Sequence, residues 1–468
     1  MRRLEERLRA LDLPTDVRWC PERMTERSRG KRWYAVRGSD AVRISVPVRV
    51  YRRDLKKVPR GAEDAAAHPI IERIKRESLE ERSLYPVSGR LVDHKKAKKL
   101  TEPCTVVRLH GFKTPPLWMP GRSNRVLRGS REVLLSVKML FPPDWSDERV
   151  LDGVFEALDA LRDVVRSVPR KEILRTCHVV LDQRELRERL ESGELTHDGR
   201  RVVSLIGEGT RPARRFTDVR RHYRIAGPKP DPHVPFEIPE DEEAGLEPLE
   251  LKLPWTGEKR RFLPIYEGEM FAVAGANAQG KTTLINAIEA GKDDHAPGDG
   301  REYVVTVRRT ARAEAGVRRM RGEDVSLFFR ELPPGYEGSP ENVHGVASGS
   351  MKMAAEIQRA VEEGAKILFI DEDKAAVNLL VPGVLTRKLE GIRTLVEVKE
   401  EITSRGVTII AATGVLDDFT AAADRAIVME NHRAKPLNLK EFRARLAKHH
   451  AELARRYSEA EESPGESA

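Results

Sequence analysis

The sequence predicts two unlike halves: an α+β module over residues 1–230 and an α/β domain with a parallel sheet over residues 249–436. Three observations carry that expectation. Beyond residue 249, short apolar runs alternate with helix-period stretches, the pattern of parallel strands joined by crossover helices. At residues 270–290 a glycine-rich turn joins one such run to a helix-period segment. The stretch from Ala226 to Pro248 is dense in proline and acid; proline fixes φ and removes backbone donors, so neither helix nor central strand forms there. Residues 231–248 are read as a linker, and residues 437–468 as a C-terminal helix with a disordered tail.

At 468 residues the chain exceeds one ordinary core, and 39% hydrophobic residues suffice for more than one. No apolar run approaches the ~20 residues a membrane helix requires. Met1 to Ala10 carries four arginines, two glutamates and no apolar stretch, so it reads as neither a secretory signal nor a transit peptide. Cys20, Cys104 and Cys177 are solitary and far apart, which suits neither a disulfide framework nor a zinc or iron–sulfur site. The reducing cytoplasm is the expected compartment. The net charge of +9 hides an asymmetry: residues 1–230 hold 52 Lys/Arg and 33 Asp/Glu, a net of +19, whereas residues 231–468 hold 32 and 42, a net of −10. A basic half joined to an acidic half points to a polyanion-binding module attached to something else.

In the first half, Val42–Tyr51 alternates like a strand, with Ile44, Val46, Val48 and Val50 on one side, and Glu132–Leu140 does so less regularly. Glu148–Val165 has Val150, Leu151, Val154, Leu158, Leu161 and Val165 at helical spacing, and another helix is expected to begin near Asp182. No internal repeat is present. In the second half, Met270–Ala274, Ile367–Ile370, Val407–Ala412 and Ala426–Met429 read as buried parallel strands. A charged helix is expected from Leu439 to about Tyr457, and a polar tail from Ser458.

The chemistry begins at Gly275-Ala276-Asn277-Ala278-Gln279-Gly280-Lys281-Thr282, which matches the phosphate-binding G-x-x-x-x-G-K-[ST] pattern at every fixed position, with Thr283 following. The glycines let the backbone curl so that successive N–H groups aim at phosphate oxygens. Lys281 adds a point charge for the β and γ phosphates, a catalytic role, and the Thr282 hydroxyl can ligate Mg²⁺. The preceding strand and the following helix, with Leu284, Ile285 and Ile288 on one face and Gly291 as its cap, supply the right context. ATP with Mg²⁺ is therefore the expected cofactor pair. Lys366 to Glu372 is an apolar strand ending in two carboxylates at the sheet edge where ligands of open α/β folds bind. Asp371 is placed to hold Mg²⁺ through water, and Glu372 to polarise an attacking water as general base.

Between these motifs, Ser348-Gly349-Ser350 opens a helix carrying Met353, Ile357, Ala360 and Val361 on one face, 22 residues before Asp371 counted from Gly349. This arrangement resembles the signature of ABC ATPases. The stretch from Leu249 to Arg433 further resembles the group described as predicted ATPases of the ABC class, soluble proteins without transporter partners. The residues that carry the likeness are Pro297–Thr306, Leu332–Gly335, Val346–Ser350 and Ile370–Asn378. Asp373 stands where ordinary ABC proteins carry proline. The resemblance implies an ABC-type ATPase fold, with Ser348–Ser350 presenting N–H groups to the γ-phosphate of nucleotide on a second copy and Ala375–Asn378 as the loop touching that copy. With one such domain per chain, it implies a homodimer paired head to tail around ATP. It also exposes departures: Gly414 stands at the place of the switch histidine, and no glutamine lies between Leu284 and Ile357, so hydrolysis is expected to be slow.

Arg211, Arg214, Arg215, Arg220, Arg221 and Arg224 are interleaved with Phe216, His222 and Tyr223, a composition suited to single-stranded nucleic acid. Lys95–Lys99, Arg52, Arg53 and Arg60 add charge, as does the run Arg308, Arg309, Arg312, Arg318, Arg319 and Arg321. The leading functional expectation is a cytoplasmic, homodimeric, Mg²⁺-dependent ATPase coupled to RNA or other single-stranded nucleic acid. An ATPase that remodels or assembles a protein partner is the alternative. A transporter ATPase subunit is disfavoured by the long N-terminal half and the missing histidine.

Overall fold

Val42–Tyr51 and Glu132–Phe141 pair antiparallel along their whole length, from Val42 opposite Phe141 to Tyr51 opposite Glu132. The computed structural model describes residues 2–20, 34–39, 41–92, 120–213, 234–383 and 391–461. Both long strands were expected. The far edge of Val42–Tyr51 is shared by two short strands, Tyr34–Arg37 opposite residues 42–45 and Val17–Trp19 opposite residues 48–50. Pro47 falls in the gap between them, where its missing N–H breaks no ladder on that edge. Helices Ala67–Glu77 and Asp147–Ser167 pack on this sheet to form the α+β core of the first half. Ser146 caps the second of them, its Oγ accepting from the Arg149 N–H at 3.3 Å, and the six apolar residues expected on its face are buried.

The helix expected near Asp182 begins twelve residues earlier: it spans Arg170–Ser192. Its apolar spacing is hard to read because it serves two cores. Ile173, Cys177, Val180 and Leu181 belong to the first core, whereas Leu186 and Leu190 belong to the second. Asp182 is buried at mid-helix and accepts from the N–H groups of Trp255 and Thr256 at 2.7 and 3.1 Å.

The boundary expected at residue 230 also moves. Strand Arg200–Gly207 pairs antiparallel with Lys259–Tyr266 on one side and Val304–Thr306 on the other, so one sheet crosses that boundary. The two cores meet instead on helix Arg170–Ser192. Residues 234–248 contain neither helix nor strand, as their prolines require, but they are no free linker. Phe236, Ile238 and Leu246 are buried in the second core, and Phe236 exchanges backbone hydrogen bonds with Gly209 and Thr210 at 2.8 and 2.6 Å.

The central sheet runs in the order Thr310–Ala313, Ile367–Asp371, Thr408–Ala412, Met270–Ala274, Arg425–Glu430, Arg433–Pro436, parallel except for the last hairpin strand. Four of these were legible as apolar runs. Thr310–Ala313 was not, because an edge strand of sequence TARA is half-exposed and carries no apolar run. A small antiparallel sheet of Arg318–Glu323, Asn342–Ala347 and Glu337–Ser339 forms an arm beside it. The last helix runs Leu439–Glu461, four residues beyond its expected end at Tyr457. The tail expected to be disordered lies, from residue 462, outside the described residues.

Arg187, 1% exposed, joins the two cores. Its guanidinium pairs with Asp294 at 2.8 Å and donates to the Gly291 and Asp293 carbonyls at 3.2 and 2.9 Å, just beyond the helix Lys281–Ala290. Arg184 bridges the same Asp294 and Asp64 of the first core, both at 2.8 Å. Burial raises the Asp294 carboxyl, but the Arg184 and Arg187 guanidinium groups outweigh it and hold the group below its ordinary range. Removing one partner of a buried pair costs about 3–5 kcal/mol. Because Asp294 keeps Arg184, Arg187→Met is expected to lower unfolding free energy by about 3 kcal/mol, near the bottom of that range. A urea melt checks this; an unchanged midpoint refutes it.

Candidate functional site

Strand Met270–Ala274 delivers the chain to the carboxyl edge of the parallel sheet, where the phosphate loop turns. Gly275 has φ +139°, and a Cβ there would sit 2.6 Å from the Met429 carbonyl, so only glycine fits. Gly280, at φ +101°, caps the helix Lys281–Ala290 in the left-handed conformation. Backbone N–H groups of the loop and the helix N-terminus together make an anion seat.

Three side chains converge on it. Lys281 is 4% exposed, and its Nζ donates to the Gly275 and Ala276 carbonyls at 2.7 and 3.0 Å. The Thr282 hydroxyl donates to Asp371 Oδ2 at 2.9 Å, drawing the loop to the end of strand Ile367–Asp371. Asp371 is 1% exposed, and its other oxygen, Oδ1, is buried without any hydrogen-bond donor. A bare, buried carboxylate oxygen beside a threonine hydroxyl on a phosphate loop is what a nucleotide-bound Mg²⁺ requires of the protein. Among the described residues no cluster of three or more His, Cys, Asp or Glu could hold a metal by itself.

Glu372 is gripped by a device the sequence did not reveal. Its Oε2 accepts from the Gly414 N–H at 2.6 Å, and its Oε1 from the Val415 and Leu416 N–H groups at 2.8 and 3.3 Å. Gly414, expected at the place of a switch histidine, thus offers its backbone rather than a side chain. A Cβ at Gly414 would lie 3.3 Å from Lys281 Nζ and 3.6 Å from Glu372 Oε1, so any side chain there enters the space between them.

A cavity of about 180 Å³ opens beside the loop, lined by Ala278, Gln279, Gly280, Lys281, Thr282 and Thr283. Its opposite walls are Pro212, Ala213, Val234, Asp373, Met429 and His432, none of them expected as site residues. One signal was available: Asn431-His432 is a two-residue turn between the strand ends Glu430 and Arg433, and both residues adopt positive φ, 48° and 64°, the hairpin geometry asparagine favours. The Asn431 N–H donates to Gln279 Oε1 at 2.6 Å, latching that turn to the phosphate loop. Asn277 belongs to the same loop but does not line the cavity.

Ser348 caps the helix Gly349–Glu362, its Oγ accepting from the Met351 N–H at 3.4 Å. Ser348, Gly349 and Ser350 are exposed or half-exposed and do not line this cavity. No glutamine serves the edge strand Thr310–Ala313; the chain leaves it at Glu314, whose carboxylate lies 3.4 Å from Lys374. Of the basic clusters, Arg214, Arg215, Arg220, Arg221 and Arg224, with Lys95–Lys99, lie outside the described residues. The described ends of that arginine segment, Pro212, Ala213 and Val234, stand at the cavity wall. Half of the run from Arg308 is engaged within the fold: Arg309 bonds the Glu363 carbonyl, Arg312 pairs with Glu289 at 2.8 Å and Arg318 with Glu323 at 3.0 Å, while Arg308, Arg319 and Arg321 are exposed.

The ABC_ATPase family model, a P-loop domain, matches residues 169–463. The chain belongs to the ABC_ATPase family. The matched region starts one residue before helix Arg170–Ser192, the helix on which the two cores meet. An uncharacterized protein of Methanocaldococcus jannaschii, MJ1628, is 38% identical over 439 residues, covering 93% of this chain and 94% of its own. The nitrate import ATP-binding protein NrtC of Synechocystis is 27% identical over 193 residues, 36% of this chain and 27% of that protein. Among solved structures, a nucleotide-free ATP-binding cassette from an ABC transporter is 17% identical, covering 38% of this chain and 85% of its own with a TM-score of 0.27. The cbiO1 subunit of Clostridium perfringens is 19% identical, covering 42% and 89% with a TM-score of 0.28. This ABC_ATPase chain thus combines a P-loop ATPase domain with an α+β N-terminal region. Among its described residues no helix is long and apolar enough to cross a membrane.

Proposed function

We propose that this protein is a Mg²⁺-dependent ATPase that works as a homodimer and couples ATP turnover to RNA binding. The observation that carries the catalytic part is the donor-free Asp371 Oδ1 buried against Thr282 on a loop that already holds Lys281. Asp371 and Thr282 would hold the cation, and a bound Mg²⁺ supplies charge neutralisation across the β and γ phosphates. Lys281 exchanges its two carbonyl partners for phosphate oxygens. Glu372, anchored by the amides of 414–416, orients a water and accepts its proton.

The dimeric part is supported by the position of one turn. Ser348–Ser350 forms a helix N-terminus at the surface, away from the cavity of its own chain, so it is available to nucleotide held by a second copy. The RNA part is supported by the net charge of +19 over residues 1–230. Nuclease-treated protein is expected to hydrolyse ATP slowly and to be accelerated several-fold by total RNA, with single-stranded DNA as the parallel arm. If neither polymer binds at low salt or changes the rate, the RNA part of the reading fails and a protein partner takes its place.

A further inference from the structure

Five segments of the first core converge on one open groove of about 640 Å³: the end of strand Val42–Tyr51, the 3-10 turn Arg53–Lys57, the turn before Glu132–Phe141, the end of helix Asp147–Ser167 and the start of helix Arg170–Ser192. Arg53, Lys56, Lys57, Arg131, Arg166 and Arg170 line it, all of them exposed. Asp54 is the one acid on the lining, and it is already spent on Arg52 through a two-point contact at 2.7 and 2.8 Å. Among the described residues, Arg53, Lys56, Lys57 and Arg170 form no side-chain hydrogen bond or ion pair, Arg131 donates only to the Tyr51 hydroxyl at 3.2 Å, and Arg166 at the rim pairs with Asp16.

The cations are held on a rigid frame. Arg52, 8% exposed, donates to the Val165 carbonyl at 2.6 Å, and its own N–H donates to the Arg131 carbonyl at 2.6 Å, so strand, turn and helix end cannot drift apart. Clustering this many like charges costs free energy in the free protein, and a polyanion recovers it. Guanidinium forks match phosphate oxygens two at a time. Tyr51, half-buried on the groove wall with its hydroxyl pinned by Arg131, offers a ring to an unpaired base. The concave shape suits a strand lying in it better than a bilayer surface.

Resting on the RNA reading above, we infer that this groove, formed by Arg53–Lys57, Arg131, Arg166 and Arg170, is the seat of the phosphodiester backbone of single-stranded RNA. The same helix that starts at Arg170 in the groove carries Arg184 and Arg187 roughly 21 and 26 Å further along, at the ~1.5 Å rise per residue of a helix. There they grip Asp294 and the carbonyls just beyond the phosphate-loop helix. RNA in the groove and nucleotide on the loop therefore press on opposite ends of one rigid element.

The test titrates nuclease-treated full-length protein into a fluorescein-labelled 20-nucleotide single-stranded RNA at several salt concentrations. Three proteins are compared: wild type, the triple variant Lys56→Glu, Lys57→Glu, Arg170→Glu, and the reversal of Arg214, Arg215, Arg220 and Arg221. Each phosphate contact adds about 0.7 to the slope of log K against log salt for single strands, so removing three should flatten it by about 2. The milder Lys56→Ala, Lys57→Ala protein should flatten it by about 1.4 and serves if the triple variant melts early. Weaker binding with the flatter slope in these groove variants supports the inference. Unchanged affinity and slope in them, with binding lost in the Arg214–Arg221 reversal, overturns it while leaving RNA binding in place. No binding by wild type overturns both.

Discussion

Glu372→Gln binds ATP and hydrolyses it about 10²–10⁴-fold more slowly than wild type, the span of a lost general base. The amide is nearly isosteric with the carboxylate, so the strand end and the phosphate loop are undisturbed. It cannot take a proton from water. It also cannot accept at both atoms, although Glu372 now accepts from Gly414 on one oxygen and from Val415 and Leu416 on the other. One of those contacts becomes donor against donor, and segment 414–416 loosens. With ATP bound and turnover blocked, the proposed homodimer is expected to stay closed, and size-exclusion chromatography in ATP and Mg²⁺ should then show a persistent dimer. Glu372→Asp separates chemistry from placement: the carboxylate survives but is one methylene short of the amides. Single-turnover hydrolysis at the wild-type rate by the Gln variant would remove Glu372 from the mechanism.

Lys281→Ala is the second large effect, and it acts on binding. Lys281 is buried, and its ammonium faces only the Gly275 and Ala276 carbonyls. A hydrogen bond from a charged donor is worth about 1.5–3 kcal/mol, so losing two on the phosphates weakens ATP by about 100-fold or more at 1.4 kcal/mol per decade. The thermal stabilisation that saturating ATP gives wild type should vanish at the same nucleotide concentration. If purified Lys281→Ala protein bound ATP like wild type, the nucleotide site would have to lie elsewhere.

These two residues were legible because their signals are local. Met270–Ala274, the loop and Lys281–Ala290 are contiguous, and contiguous residues set strand, turn and helix. The same holds for Ile367–Asp371, where an apolar run long enough for one strand simply ends in two acids. Reading failed where one segment answers to two neighbours. Helix Arg170–Ser192 shows no clean apolar stripe because one part packs in each core, so its start was placed at Asp182 instead of Arg170. Residues 231–248 were taken as a linker from their prolines, which forbid regular structure but not burial, and Phe236 and Leu246 are in the core.

By itself, then, the sequence determined an α/β ATPase domain with a phosphate loop and an acidic strand end, behind a basic α+β region, because each depends on residues within a few positions of one another. Only the tertiary structure decided what holds Glu372, what walls the cavity and where the two cores divide. Gly414–Leu416 reach Glu372 from more than forty positions away, His432 reaches the phosphate loop from the last hairpin, and Arg187 reaches Asp294 across 107 positions. Contacts of that range carry no local pattern of spacing, and they exist only once the parallel sheet has brought its strand ends to a common edge.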